Sequence, residues 1–180
     1  MMTRTTFYTA TSLDGFIAGP DNSLDWLFTR KQDNDGPLNY DAFIAGIGSI
    51  AMGRTTYEWV LNHEKAKWPY DLPAWVFTHH ELPTVEGDIR FTQDDVTSVH
   101  ADMVEAAGGK DVWMVGGGDL AGQFADAGLL DDVIVYIAPV FLGAGAPLFP
   151  RHQELELVEL AQNGEFACAR YNVVAPSGTD

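Results

Sequence analysis

Cysteine is nearly absent. Cys168 is the only one in 180 residues, which excludes an intrachain disulfide framework and a cysteine-rich zinc site and makes a reducing compartment, the cytoplasm, the expected location. Basic residues are scarce as well: 10 Lys and Arg stand against 26 Asp and Glu, a formal net charge of −16. A field of that sign repels phosphate backbones and anionic lipid, so neither nucleic acid nor a membrane surface is expected as a partner. A small anionic ligand remains possible, because a local Arg and helix N-terminal N–H groups outweigh diffuse charge beyond a screening length of about 10 Å. Long apolar runs are missing too. The most apolar stretch, residues 133–149, is broken by Pro139, Gly143, Gly145 and Pro147, so it reads as strand and loop rather than a bilayer-spanning helix. The opening MMTRTTFYTATSLDG has no apolar signal-peptide core, and no export is expected.

What is present is enough for a core. With 46% hydrophobic residues against 20% charged, the chain is too apolar to stay disordered, and its length suits one domain, residues 1–180. There is no fixed-period repeat or Ser/Gly linker. Apolar segments recur instead at intervals that suit alternating strands and helices, an α/β layout. Strands are expected at Thr5–Thr11, Ser49–Gly53, Ala74–Thr78, Ile89–Phe91, Asp111–Val115, Val133–Ala138, Leu155–Ala161 and Ala167–Val174. Helices are expected near Tyr40–Gly46, over Arg54–Leu61, from an Asp94 or Asp95 cap through Ala107 to the stop at Gly108-Gly109, and after Gly118. With no helix between them, the last two strands should pair antiparallel. A long loop should follow the first strand, entered through the turn-forming Asp14-Gly15.

Two strand-to-helix turns carry candidate chemistry. Gly116-Gly117-Gly118-Asp119-Leu120 follows an apolar strand, and the missing Cβ atoms let backbone N–H groups approach a pyrophosphate at a helix N-terminus. It is neither G-x-G-x-x-G nor a Walker A loop, and a plain tight turn is the competing reading. Met52-Gly53-Arg54-Thr55-Thr56-Tyr57-Glu58 repeats the arrangement with a guanidinium and two hydroxyls, and a guanidinium fork suits a phosphate monoester. A solvated helix-start Arg is the alternative there. Two anion sites on separate turns point to a dinucleotide with an additional phosphate. His79 and His80 lack a third ligand nearby, so no metal site is expected.

In this order, Ser12-Leu13-Asp14-Gly15-Phe16-Ile17-Ala18, Asp25-Trp26, the Met52–Glu58 turn, Gly116-Gly117-Gly118 and Pro139–Phe149 resemble the dihydrofolate-reductase-like superfamily. The likeness is nearest to the reductase domain at the C-terminus of the riboflavin-biosynthesis protein RibD, and it spans Thr5 to Val174. It implies a three-layer fold: a mixed, mostly parallel sheet, helices on both faces, and an antiparallel C-terminal strand pair. It also implies NADPH across the carboxyl ends of the strands. Arg54 would meet the 2′-phosphate, and Gly53, Thr55, Thr56, Gly116, Gly117, Gly118, Asp119 and Leu120 the pyrophosphate turns. Thr78 and His79 would flank adenine, while Ala10 and Ile17 would line the nicotinamide end beneath a lid of residues 14–24. Trp26 would wall the substrate pocket.

The implied activity is hydride transfer to a small heterocyclic or carbonyl substrate. Asp14, Asp33, Tyr136 and an ordered water are the candidate proton donors; for Asp14 the competing role is simply that of a turn former. In folate reductases an acid on the helix after the Trp anchors the pterin, whereas here Leu27-Phe28-Thr29-Arg30-Lys31-Gln32 follows Trp26, which argues against folate. Nor does the chain have the length or cysteines for the zinc deaminase half of the bifunctional riboflavin protein. An NADP(H)-binding protein without turnover is the alternative of a different class. A homodimer is expected from the resemblance and from apolar residues in the C-terminal third: Val133–Ala138, Phe141–Phe149, Leu155, Leu157, Leu160 and Phe166.

Overall fold

A computed structural model describes residues 2–176. β-Branched and aromatic residues make TTFYTATS the first strand, β1 (Thr5–Ser12). The loop expected after it contains a short strand, β2 (Phe16–Ala18), and a single-turn helix, α1 (Asp25–Phe28). Helix α2 (Tyr40–Ala45) starts at Asn39, whose side chain accepts from the Ala42 N–H. Strand β3 (Ile47–Gly53) runs directly into α3 (Arg54–His63), and β4 (Ala74–Phe77) and β5 (Ile89–Thr92) follow. Helix α4 (Val96–Ala107) is capped by Asp95 and stopped by Gly108 at φ 60°, a left-handed value that glycine adopts without a Cβ penalty. Then come β6 (Asp111–Gly116), α5 (Gly118–Asp126), β7 (Asp132–Ala138), β8 (Ala146–Pro147), β9 (Leu155–Asn163) and β10 (Phe166–Val173).

The main sheet has the order β5-β4-β3-β6-β1-β7-β10-β9. It is parallel from β5 to β7 and antiparallel where β10 joins β7 and β9. Successive strand residues point to opposite faces, and this sorts the core into layers. Phe7, Val112, Met114 and Val135 meet α4 and α5 through Val99, Met103 and Phe124 on one face. Ile50, Met52, Val76 and Trp113 meet α3 through Tyr57, Val60 and Leu61 on the other. On that second face a smaller cluster of Tyr136, Phe166 and Cys168 is covered by Trp26 and Leu27 of α1. The architecture is thus helix, sheet, helix.

Beside it, β2 and β8 form their own antiparallel pair, Phe16 opposite Pro147 and Ala18 opposite Ala146, reinforced by Leu148 N–H donating to Gly15 O at 2.8 Å. The stem of the 14–24 segment is therefore pinned to the sheet, while Asn22 and Leu24 reach the cleft described below. No helix among the described residues is long and apolar enough to cross a membrane.

The apolar C-terminal third is divided differently from the expectation. Val133–Ala138 is a central strand and Phe166 is buried, so neither is available to a subunit interface. What stays exposed is Phe141 together with Leu155, Leu157, Val158 and Leu160 of the edge strand β9.

Candidate active site

Strands β3 and β6 are neighbours, with Met52 opposite Gly116, and each turns into a helix almost at once. The N-termini of α3 and α5 consequently lie side by side at the carboxyl edge of the sheet. Helices α2 and α4 have side-chain caps, from Asn39 and Asp95, whereas α3 and α5 start from Gly53 and Gly117 with none. Their first-turn N–H groups therefore lack a side-chain acceptor and are available to an anion.

A cleft of about 1050 Å³ opens over this edge. Gly53, Arg54, Thr55 and Thr56 line it from the β3–α3 turn, and Gly116, Gly117, Gly118, Asp119 and Leu120 from the β6–α5 turn. Thr78 and His79 line it at the end of β4, Ala10 on β1 and Ile17 on β2. Every residue expected at the cofactor side is thus brought to one cavity.

The glycines differ in what requires them. A Cβ on Gly53 would come no nearer than 3.9 Å to Gly116 O, and one on Gly117 no nearer than 3.8 Å to Ile17 Cδ1. Packing does not demand glycine at either position; both leave bare backbone facing the cleft. Gly118 is another case, since a Cβ there would overlap the Leu148 and Pro147 carbonyls, so its role is close packing against the β8 segment. The Gly116–Gly117 peptide is cis.

Arg54 donates from Nε to Glu58 Oε1 at 2.9 Å, which fixes the guanidinium beside the helix start while its two terminal nitrogens make no hydrogen bond among the described residues. Asp119 is committed elsewhere, accepting from Gln123 Nε2 at 2.9 Å and Arg151 Nη2 at 3.2 Å, so this position can offer a ligand its backbone rather than its carboxylate. Leu120 packs beneath α5 in the core. Thr78 Oγ1 accepts from the His80 N–H at 3.0 Å, shaping the loop that presents His79.

The expected catalytic residues fare differently. Asp14 is exposed and does not line the cleft. Its carboxylate accepts from Ser12 Oγ at 2.6 Å and from the Leu142 and Gly143 N–H groups at 3.0 and 2.8 Å. The Ser12 hydroxyl first, then the Leu142 amide, hold its pKa down at about 2, so it is a turn-locking carboxylate and not a proton donor. Asp33 is also exposed and outside the cleft. Trp26 lies behind the cleft wall, packed on Tyr136 and Phe166, with Nε1 donating to Ser23 O at 3.1 Å. Tyr136 does line the cleft. Its hydroxyl donates to Pro37 O at 3.0 Å and accepts from Asn163 Nδ2 at 3.0 Å, and burial pushes its pKa up to about 12. It is a poor acid with an engaged proton.

The far end of the cleft is more aromatic than the sequence indicated. Tyr8, Tyr40, Tyr70, Trp59 and Trp113 join Tyr136 there, and burial raises the pKa of Tyr8 and Tyr70 as well. Tyr8 was legible in part: the parity of TTFYTATS puts it on the face opposite Phe7. Arg30 and Gln32 also line the cavity, and nothing in their local pattern marks them.

The sequence model of the RibD C-terminal domain matches residues 5–170. The chain belongs to that family. The uncharacterized protein YwjB of Bacillus subtilis is 32% identical to this chain over 150 residues, 83% of this chain and 84% of its own. A solved protein from Shewanella sp. PV-4, named for riboflavin biosynthesis, superposes with a TM-score of 0.82 at 24% identity, covering 96% of this chain and all of its own. Dihydrofolate reductase from Enterococcus faecalis, solved with NADP(H) and RAB-propyl, gives a TM-score of 0.60 at 16% identity, over 94% of this chain and 96% of its own. The chain therefore has the dihydrofolate-reductase-like fold that the ordered motifs implied.

Proposed function

We propose that the cleft is the active site of an NADPH-dependent reductase acting on a small heterocyclic or carbonyl compound. The observation that carries this reading is the pair of adjacent helix N-termini, α3 and α5, both without side-chain caps, both preceded by glycine, and accompanied by Arg54. Two anion sites at that separation fit a pyrophosphate plus a phosphate monoester, and the fork of Arg54 suits the monoester. Thr55 and Thr56 supply hydroxyls at the first turn of α3, Gly117 offers bare backbone, and Thr78 with His79 closes the adenosine end.

NADPH, when bound, supplies the hydride. The chain's own part is to hold the nucleotide, orient it against the aromatic walls and exclude water. Ala10 is small and Ile17 apolar where β1 and β2 meet the cleft, which suits a flat ring beside the strands. No cleft side chain at the substrate end is a ready acid: Tyr136 has its proton engaged, burial raises the pKa of Tyr8, Tyr40 and Tyr70, and Asp14 and Asp33 lie outside. The proton that completes a reduction is accordingly assigned to solvent water.

The alternative of a binding protein without turnover shares every contact on the cofactor side. Mixing the protein with one equivalent of NADPH and a panel of unsaturated heterocycles and carbonyl compounds separates the two. Loss of the reduced-nicotinamide absorbance in one equivalent supports the reductase; retention of bound NADPH with every acceptor supports the binding protein. Folate is disfavoured by Arg30, which stands on the helix-end segment where a pterin-binding acid was looked for. The buried, unpaired Cys168 and the use of NADPH fit a cytoplasmic enzyme.

A homodimer belongs to the same proposal. Strand β9 is a sheet edge nine residues long with Leu157 at 54% and Leu160 at 70% exposure, and an apolar edge of that length is a template for pairing unless it is covered. A second copy is the natural cover, because a two-fold contact uses one patch twice.

A further inference from the structure

Helix α5 begins at one of the two anion sites and carries an acid in its own first turn. Asp119 is its second residue and lines the cleft. A first-turn carboxylate is itself an anion that a helix N-terminus attracts, and its oxygens can bond nearby backbone N–H groups. Left to itself it would compete with a pyrophosphate for the same donors and repel it by charge. The structure holds the carboxylate elsewhere. Gln123 Nε2 donates to Oδ2 at 2.9 Å and Arg151 Nη2 to Oδ1 at 3.2 Å, one partner on each oxygen, and no side chain caps α5.

Arg151 is built into this place. It does not line the cleft; it lies against the α5 backbone, where Gly122 leaves the space, since a Cβ there would overlap Arg151 Nε and Cδ. One turn earlier Gly118 is equally close to the Leu148 and Pro147 carbonyls. These two glycines share one face of the helix and seat the 147–151 segment directly on it. The guanidinium then spans α5 between its acids, with Nε 3.0 Å from Asp126 Oδ2. Among the described residues no other Lys or Arg pairs with Asp119 or Asp126.

Building on the reductase reading, we infer that Arg151 is a positioning residue of the nucleotide site. It touches no ligand. It draws the Asp119 carboxylate off the α5 N-terminus and neutralises its charge, which leaves the first-turn N–H groups to the pyrophosphate. In a chain of net charge −16 an anion site needs its local acids offset, and Asp119 is the acid on the very turn that forms this one.

The test titrates NADPH and NADH calorimetrically into the whole protein and its variants, and takes the Tm of each without nucleotide. Arg151→Met should weaken both nucleotides by about three- to ten-fold. Their ratio should be kept, because the pyrophosphate is common to both. Arg151→Lys, which keeps the charge, should stay within about two-fold of the unsubstituted protein. Adding Asp119→Asn to Arg151→Met should restore both affinities while the lowered Tm stays low, a rescue that a merely structural role for Arg151 does not give. Arg151→Gln takes the place of the methionine variant should that one not fold. Unchanged affinity in R151M, a changed NADPH-to-NADH ratio, or a loss that Asp119→Asn does not repair overturns the inference while the reductase reading stands. An unsubstituted protein that binds neither nucleotide overturns the reductase reading, and this inference with it.

Discussion

Gly118 lies so close to the Leu148 carbonyl that any Cβ on it would overlap the oxygen, whereas its neighbour Gly117 faces open cleft. The two positions are therefore predicted to fail in different ways. Gly118→Ala forces the β8 segment to move and should cost about 1–3 kcal/mol, seen as a lower Tm without ligand. Gly117→Val should melt close to wild type and lose the Tm increase that NADPH gives. Thermal melts of both variants with and without NADPH check this; an unaltered NADPH shift in Gly117→Val is the contrary result.

Asp14 is predicted to act on stability and not on chemistry. Its folded-state pKa, about 2, lies below the ordinary value of 3.8, so the unfolded chain takes up its proton first as pH falls. The stabilisation is fully present above about pH 4 and is lost as pH drops through the folded value. Asp14→Asn should lower Tm at pH 7, and the gap to wild type should close near pH 2, while NADPH affinity is unchanged. A gap that is the same at pH 2 and pH 7 goes against the assignment.

Tyr136 is assigned to holding the Pro37 carbonyl and Asn163 in place. Tyr136→Phe removes one donor to Pro37 O and one acceptor for Asn163 Nδ2; Pro37 O keeps Asn163 Nδ2, and Asn163 Nδ2 keeps Pro37 O and Asp33 O, so the loss should be about 1 kcal/mol. Denaturant unfolding should register the loss. Once an acceptor is known, turnover should fall less than ten-fold, since solvent water and not the phenol supplies the proton; a hundred-fold fall in kcat with KM unchanged restores Tyr136 as the acid.

The parts of this molecule legible in its sequence are those written in consecutive residues. Gly53-Arg54 and Gly116–Gly118 each sit between an apolar strand and an amphipathic helix, so the turns and their helices follow from local pattern, whereas their meeting in one cleft depends on the long-range pairing of β3 with β6. The β2–β8 pair is three residues against two and joins segments on opposite sides of the chain, too short for periodicity to register. Asp14 looked like an acid because its partners, Leu142 and Gly143, are 128 and 129 residues away. Leu155 and Leu157 give the same alternation whether or not a layer covers them, and Leu160 lies beyond a register shift between β9 and β10; β9 is exposed because no helix follows it to provide a layer. Arg30 enters the cleft only because Trp26 and Leu27 dock on Tyr136 and Phe166, a tertiary contact.

The exposed edge of β9 predicts a dimer. Light scattering at micromolar concentration should give twice the chain mass of 19.7 kDa. Leu157→Lys with Leu160→Lys, which adds charge at the exposed apolar positions of the edge strand, should give the monomer with an intact fold. A monomer in the unsubstituted protein contradicts the proposal.

The central claim is that Arg54 and the two helix N-termini hold NADPH, and calorimetric titration of NADPH and NADH into the unsubstituted protein and Arg54→Ala tests it most directly. A charge-assisted contact contributes roughly 1.5–3 kcal/mol, so NADPH should bind about ten- to a hundred-fold more tightly than NADH. Arg54→Ala should bring NADPH down to the NADH value and leave NADH nearly unaffected. Equal affinity of the unsubstituted protein for the two nucleotides, or no binding of either, contradicts the account.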